Sequence, residues 1–348
     1  MTARLDPICR TVLGRAADAV SVTDLGTEIS HQVARVIPHD GYLLVGLDPA
    51  SGAGCFHTGV RGYRSGVAHR LRTDAALDAH PHPFARLAAG PCPVGVLGAD
   101  QPEFRHSARV HDVMAGAGIV SEMRLALMAS GVMRGMLILL REHGSRPFST
   151  ADADHAARLA RPLAAALMRF VGGKALRPSG RTPLPPAVVV IGADDRIRSM
   201  TPSGQEWLRE LGLSSPSPAD DEPTFVGTQL NMTHLARPSN GPAVTRIPMP
   251  QGWVVLHAQG LSGAGAGEGE VVVTIQGASA PLLLPAVAAW YGITPRERAV
   301  IEQALEGLPV KQIARRLGLS AHTANDHFKA IYRKTGVSGR DELVAGLS

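Results

Sequence analysis

The sequence is poor in cysteine, aromatics and lysine. Its three cysteines, Cys9, Cys55 and Cys92, are odd in number and scattered, with no pair at metal-ligand spacing. That excludes a disulfide framework and fits a reducing compartment. With 3 Trp, 4 Tyr and 7 Phe in 348 residues, cores must be built from Ala, Leu, Val and Ile. There is no apolar run of about 18 residues and no apolar signal core in the opening MTARLDPICR. A soluble, cytoplasmic protein without membrane attachment is expected. There is no P-loop, no G-x-S-x-G and no H-E-x-x-H. No catalytic residues are assigned, and no enzymatic function is expected. The pair His80 and His82 has no Cys or carboxylate at ligand spacing, so it reads as a loop, and neither metal nor cofactor is expected.

What the chain does have is an uneven charge. The net charge is +5, and 45% hydrophobic against 19% charged residues marks globular domains, two or three of them at this length. The only lysines are Lys174, Lys311, Lys329 and Lys334. Between residues 307 and 340, Lys311, Arg315, Arg316, Lys329, Arg333, Lys334 and Arg340 face a single acid, Asp326. A polyanionic partner should therefore meet the C-terminal end.

The first half mixes helix and strand. Val22, Leu25, Ile29, Val33 and Val36 recur at helical spacing, and YLLVGLD over 42–48 reads as a strand. Residues 122–128 alternate and 133–141 form a further strand. Ser149 or Thr150 then caps a long helix to about Phe170. This order, ending in FSTADADHAARLARPLAAAL, resembles the small-molecule-sensing GAF domain, with no ligand implied residue by residue. The Gly/Pro-rich stretch 171–186 reads as a linker. After it, AVVVIG, an Asp194–Asp195 turn, RIRSM and the helical TPSGQEWLREL resemble the opening of a PAS domain, with TRIPM, WVVLHA and VVVTIQ completing an antiparallel sheet. Residues 214–223 read as a solvated loop and 262–270 as a long hairpin tip. The apolar 279–291 reads as a connector helix that Pro285 should kink or end.

The C-terminal pattern is the most specific. Thr294, Pro295 and Glu297 form a capping box with proline at the first helical position. Val300, Ile301 and Ala304 give that helix a buried face, and Gly307 ends it. A second helix over Val310–Leu317, the turn Gly318–Leu319–Ser320, and a third helix to Thr335 make a helix-turn-helix. At about 100° per residue, His322, Asn325, Asp326, Lys329 and Arg333 share one arc of the third helix. Ala324, Phe328, Ile331 and His327 share the other, which predicts a packing or phosphate-positioning role for His327. The residues Thr294, Arg296, Glu297, Gly307, Lys311, Ile313, Ala314, Leu317, Ser320, Thr323, His327, Ile331, Lys334 and Arg340 resemble, in register, the LuxR-type (GerE-like) DNA-binding domain. Departures fall at Pro309–Val310, Ala324, Asn325, Asp326 and Ala330, mostly on the face that would read DNA.

The resemblance implies that Asn325, Asp326 and Lys329 approach base edges, and that Lys311, Thr323, Arg333 and Lys334 contact phosphates. It also implies a dimerisation helix from about Gly339, with Leu343, Val344 and Leu347 as its apolar stripe. The expected architecture is multidomain. A GAF-like α+β domain covers 1–170, a linker 171–186, a PAS-like α+β domain 187–278 and a connector 279–291. An all-α four-helix helix-turn-helix domain covers 292–348. A phospho-receiver is disfavoured because the one lysine before Lys311 lies in a linker, and a homoserine-lactone pocket because no Trp precedes Trp207. The expected function is a sequence-specific transcriptional regulator gated by its N-terminal region. It would be a homodimer on promoter DNA, with an RNA polymerase contact if it activates, and the sensor's ligand is unknown. Two alternatives stand beside it: a metabolic enzyme with an appended DNA-binding module, and a ligand-free regulator whose N-terminal region only dimerises.

Overall fold

The computed structural model describes residues 5–61, 80–98, 101, 104, 107, 109–178, 184–211, 214–215, 224–225, 229–237, 241–249, 252–262 and 269–347 (of 111–112, 214–215, 224–225 and 229–231 the backbone only). Most of the expected loop 214–223 and of the expected hairpin tip 262–270 lies outside the described residues.

The first unit is α+β. Its elements are α1 (Leu5–Asp18), α2 (Val22–Ala34), β1 (Gly41–Leu47), β2 (Gly54–Val60), α3 (Phe84–Ala89), β3 (Val94–Gly98), β4 (Ile119–Ala129), β5 (Val132–Glu142) and α4 (Thr150–Gly172). A turn of π-helix, Arg109–Met114, precedes β4. The sheet is antiparallel in the order β2-β1-β5-β4-β3. Helices α2 and α4 both begin with reciprocal capping boxes, Ser21 with Asp24 and Ser149 with Asp152. The sequence pointed to α2, β1, β4, β5 and α4; the expected elements did not include α1, whose Leu5, Ile8, Val12 and Ala16 are buried in the core.

One face of this sheet is closed by helices. Leu44, Met123, Leu125, Leu137 and Leu139 pack in one core with Ala156, Ala160, Ala164 and Leu167 of α4. The scarcity of aromatics is met by close approach: a Cβ on Gly135 would lie 2.4 Å from a Leu167 methyl, so helix and sheet touch where a side chain is missing.

The second unit contains β6 (Ala187–Ile191), β7 (Ile197–Met200), α5 (Pro202–Glu210), β8 (Ser214–Ser215), β9 (Thr224–Phe225), α6 (Gln229–Ala236), β10 (Ala243–Met249), β11 (Gly252–Gly260) and β12 (Val271–Gly277). Its main sheet runs β10-β11-β12-β6-β7 and is antiparallel throughout. Numbered within its own sheet and read from the other edge, this is the strand order of the first unit. The expected β-hairpin opening and the three later strands are all present. Asp195 adopts left-handed backbone at the β6–β7 turn, φ 65°, and is clamped by Arg237 at 2.6 Å and His234 at 3.4 Å. Burial pushes its carboxyl up, but the His234 and Arg237 bonds outweigh that and hold it well below the usual carboxylate range.

Helix α7 (Ala280–Trp290) follows, and it runs through Pro285 rather than ending there. Its Leu283, Leu284, Val287 and Trp290 are buried in the first unit's core, so it is an integral core element and not a free connector. The stretch read as a linker is also engaged. Leu176 is 1% exposed, and its N–H donates to the Thr335 carbonyl at 2.8 Å.

The two α+β units meet at a buried ion pair. Asp48, at the end of β1, accepts from Arg246 Nη1 at 2.7 Å and from the Arg246 N–H at 3.1 Å. Arg246 Nε also donates to the Leu282 carbonyl of α7. Thr245 donates to the Gly54 carbonyl at 2.9 Å. Asp48→Asn should cost about 3–5 kcal/mol in denaturant unfolding, because it strands a buried guanidinium. Asp48→Asn with Arg246→Met should cost less than the sum of the single changes; strict additivity would show that the pair does not couple the units.

A second buried cluster sits at β4. Glu122 accepts from Arg109 at 2.7 Å, Arg124 at 2.6 Å and His80 Nε2 at 3.1 Å. His80 Nδ1 accepts from the His82 N–H at 2.8 Å, which fixes the imidazole proton on Nε2. Burial, helped by the two arginines, lowers the His80 pKa from 6.5 to about 4. Between those values the unfolded chain takes a proton that the folded chain refuses. Stability should therefore fall as pH drops through that window, by up to about 1.4 kcal/mol per pH unit. Melting of His80→Gln should depend less on pH across it than the parent does; equal slopes would contradict the assignment.

Candidate nucleic-acid interface

The last four helices are α8 (Pro295–Leu305), α9 (Val310–Leu317), α10 (Ala321–Thr335) and α11 (Arg340–Leu347). The sequence-level boundaries of the first three hold. The Thr294 hydroxyl accepts from the Glu297 N–H at 3.3 Å, and the Glu297 carboxylate accepts from the Thr294 N–H at 2.7 Å. Gly318, φ 65°, makes the turn between α9 and α10 in left-handed backbone that a side chain would strain. The Ser320 Oγ accepts from the Thr323 N–H at 3.0 Å, capping α10.

Helix α10 is divided as its periodicity requires. Ala324, Phe328, Ile331 and Thr335 are buried. His322, Thr323, Asn325, Asp326, Lys329 and Arg333 are exposed. His327 is half-buried, between the two faces. Asp326 organises the outer arc: Lys329 Nζ lies 3.1 Å from one carboxylate oxygen and His322 Nε2 3.4 Å from the other. The Lys329 bond, seconded by the charge of His322, holds the Asp326 carboxyl below its ordinary value. On α9, Lys311 is exposed, and Arg315, which the sequence reading did not assign, is exposed one turn further on. Arg316 is engaged instead by Glu306 at 2.7 Å and Gln303 at 3.1 Å.

Lys334 does not share the open placement of the other basic residues expected on phosphates. Its Nζ donates to Glu297 at 2.6 Å and to the Gly292 carbonyl at 2.8 Å. It therefore braces the end of α10 to the start of α8. Burial raises the Glu297 carboxyl, but the Lys334 and Thr294 bonds prevail and lower it. The expected dimerisation stripe also needs correction. Leu343 and Leu347 are 0% exposed and pack inside the chain's own core, because the apolar side of α11 is the side that closes the four-helix domain. Only Val344 of the three is half-buried.

The domain is seated on the first unit. Besides the Leu176–Thr335 bond, the end of α7 that leads into the domain is fixed: the Tyr291 hydroxyl donates to the Lys174 carbonyl at 3.0 Å, and the Trp290 ring lies 6.3 Å from that of Phe56 on β2. Val300, Ile301, Ile313, Phe328 and Leu343 belong to the same continuous core as Phe170 and Trp290. The arc bearing Asn325 and Lys329 lies away from this seat and is open.

Residues 292–346 match the model of the bacterial regulatory proteins of the luxR family. Over 55 residues the chain is 42% identical to proteins named as HTH-type transcriptional regulators in Mycobacterium bovis and Mycobacterium tuberculosis. That covers 16% of this chain and 6% of theirs, so the likeness concerns this domain alone. Among solved structures, Escherichia coli SdiA is 13% identical with 99% of this chain and 98% of its own covered, at a TM-score of 0.37. A phycoerythrobilin-bound GAF domain from a cyanobacterial phytochrome is 14% identical, with 47% of this chain and 94% of its own covered, at a TM-score of 0.34. Scores of this size do not mark a shared fold. No helix among the described residues is long and apolar enough to cross a membrane.

Lys334→Met should lower the stability of the chain by about 1–3 kcal/mol, because it strips a charge-assisted bond from the nearly buried Glu297. Lys329→Met, on the open face, should stay within about 0.5 kcal/mol of the parent. Thermal or denaturant unfolding of both decides it; equal effects would contradict the brace.

Proposed function

We propose that the chain is a sequence-specific transcriptional regulator of the cytoplasm, a regulator and not an enzyme. Its two α+β units, read as GAF-like over 1–170 and PAS-like over 187–278, sense a signal and gate the helix-turn-helix of 292–348. The observation that carries this reading is the division of α10: an apolar side sunk in the core and a polar, open side bearing His322, Asn325, Asp326, Lys329 and Arg333. A helix so divided, second in a helix-turn-helix, presents its polar side to a major groove.

On that side Asn325 matches adenine, Asp326 accepts from cytosine N4, and Lys329 reaches guanine once released from Asp326. Lys311, Thr323 and Arg333 are placed for phosphates, and Arg315 joins them on the outer face of α9. Lys334 serves the domain's own architecture. Binding as a homodimer to paired half-sites follows from the domain type, with the contact built around α11. An RNA polymerase contact goes with an activating role.

The test uses the whole chain on a duplex it selects from a random pool, against a scrambled duplex. Asn325→Ala should cost roughly 1–3 kcal/mol on the selected duplex and little on the scrambled one. Lys311→Ala should weaken both alike and reduce the slope of log K against log salt by about 0.9. If both variants change the two affinities in the same ratio, the outer face of α10 does not read bases.

A further inference from the structure

Five arginines among the described residues are buried: Arg109, Arg124, Arg134, Arg141 and Arg246. Four have a carboxylate. Arg109 and Arg124 share Glu122, Arg246 has Asp48, and Arg141 has Asp152 at 3.3 Å and three backbone carbonyls. Arg134 has none. It is 7% exposed, and its Nε and Nη1 are enclosed without a hydrogen-bond partner. Arginine keeps its proton at any cellular pH, so burial cannot be relieved by neutralising it. A buried unpaired guanidinium is costly unless something outside the chain completes it.

Its place in the fold points the same way. Between β4 and β5 the ladder slips by one residue, from Leu127↔Gly135 to Met128↔Met133, and Arg134 is the extra residue on β5. Bulges of this kind re-aim a side chain and are common beside binding sites. Strand β5 is the middle strand of the sheet. The face toward α4 is sealed, with Leu44, Leu137 and Leu139 at 0%. On the opposite face Leu43, Met136 and Ile138 are only half-buried, although they sit on inner strands of the sheet, with Leu43 paired to Ile138 and the buried Val45 paired to Met136. Val45, Leu47 and Leu140 of the same face are buried, so its open apolar part is the patch around Leu43 and Met136, and Arg134 stands two residues from Met136.

We propose that Arg134 is the anion-binding residue of a ligand site on this sheet, and that the ligand is an organic monocarboxylate with an apolar body. One unpaired guanidinium balances one negative charge, and a carboxylate supplies it in a charge-assisted hydrogen bond. A dianion would carry a second charge, and among the described residues no second buried arginine lacks a carboxylate. The apolar patch selects a hydrocarbon or aromatic body over a polyol. This rests on reading the first unit as a sensor.

The test is thermal unfolding of the full chain at constant ionic strength, with hexanoate and benzoate as probes and hexanamide and benzamide as neutral matches. The carboxylates should raise Tm by roughly 2–4 °C at saturating millimolar concentrations, and the amides should not. Arg134→Met should melt above the unliganded parent and show no carboxylate shift. Arg134→Lys should keep a smaller one, which guards against a variant that fails to fold. No shift in the parent, equal shifts with the amides, or a shift that survives in Arg134→Met overturns the inference and leaves ordinary water as the partner of Arg134. Binding to the selected duplex is measured on the same samples. If it persists without a carboxylate response, this inference alone fails; if the response appears without DNA binding, the regulator reading fails instead.

Discussion

The structure depends on one apolar core that does not stop at a domain boundary. It begins with α1 and α4 on the first sheet, passes through Phe56, Phe170 and Trp290, and continues into Val300, Ile313, Phe328 and Leu347. Protein interiors are close-packed and little compressible, so a continuous core transmits displacement of any wall to the others. The helix-turn-helix is held to the first α+β unit by this core and tied to the stretch after α4 by the Leu176–Thr335 bond, while the Tyr291–Lys174 bond ties the end of α7 to the same stretch. A shift in the first sheet has a packed route to α10. Helix α7 is central to it, since it lies in the core, is bonded by Arg246 and leads directly into α8.

Charge is divided in the opposite way from apolar surface. The cations that matter to folding are spent internally: Arg141, Arg237, Arg246 and Lys334 each close a junction between elements. The cations on α9 and α10 that point outward are left to solvent or to exposed partners. Asp326 is the exception on the outer face. It holds Lys329 and His322 in place on the outer face of α10.

The C-terminal helices were legible because local rules fixed them one by one: a capping box at Thr294, a left-handed glycine at 318, a cap at Ser320 and a regular apolar stripe. The sheets were legible where alternation was clear, as in β5 and β12. Helix α1 carries Leu5, Ile8, Val12 and Ala16 at helical spacing, a stripe that the sequence shows but that no cap signal marks as the start of an element. Lys334 was misplaced because its helical angle does not reveal that Glu297, nearly forty residues earlier, reaches it. Leu343 and Leu347 were assigned to a partner because an apolar stripe looks the same whether it meets a second copy or the chain's own core. Arg134 left no mark in the sequence, since only the fold shows that its neighbours lack a carboxylate.

The chain's four lysines give the most direct test of the central claim, that α9 and α10 present an open face to DNA while Lys174 and Lys334 are bonded within the chain. Acetylation of the native chain, read by mass spectrometry with and without the selected duplex, reports each lysine separately. The account predicts that DNA protects Lys311 and Lys329 and leaves Lys174 and Lys334 unchanged, because the last two are bonded to Val20 and to Glu297 within the chain. Protection confined to Lys174 or Lys334, or no protection of Lys329, would contradict it.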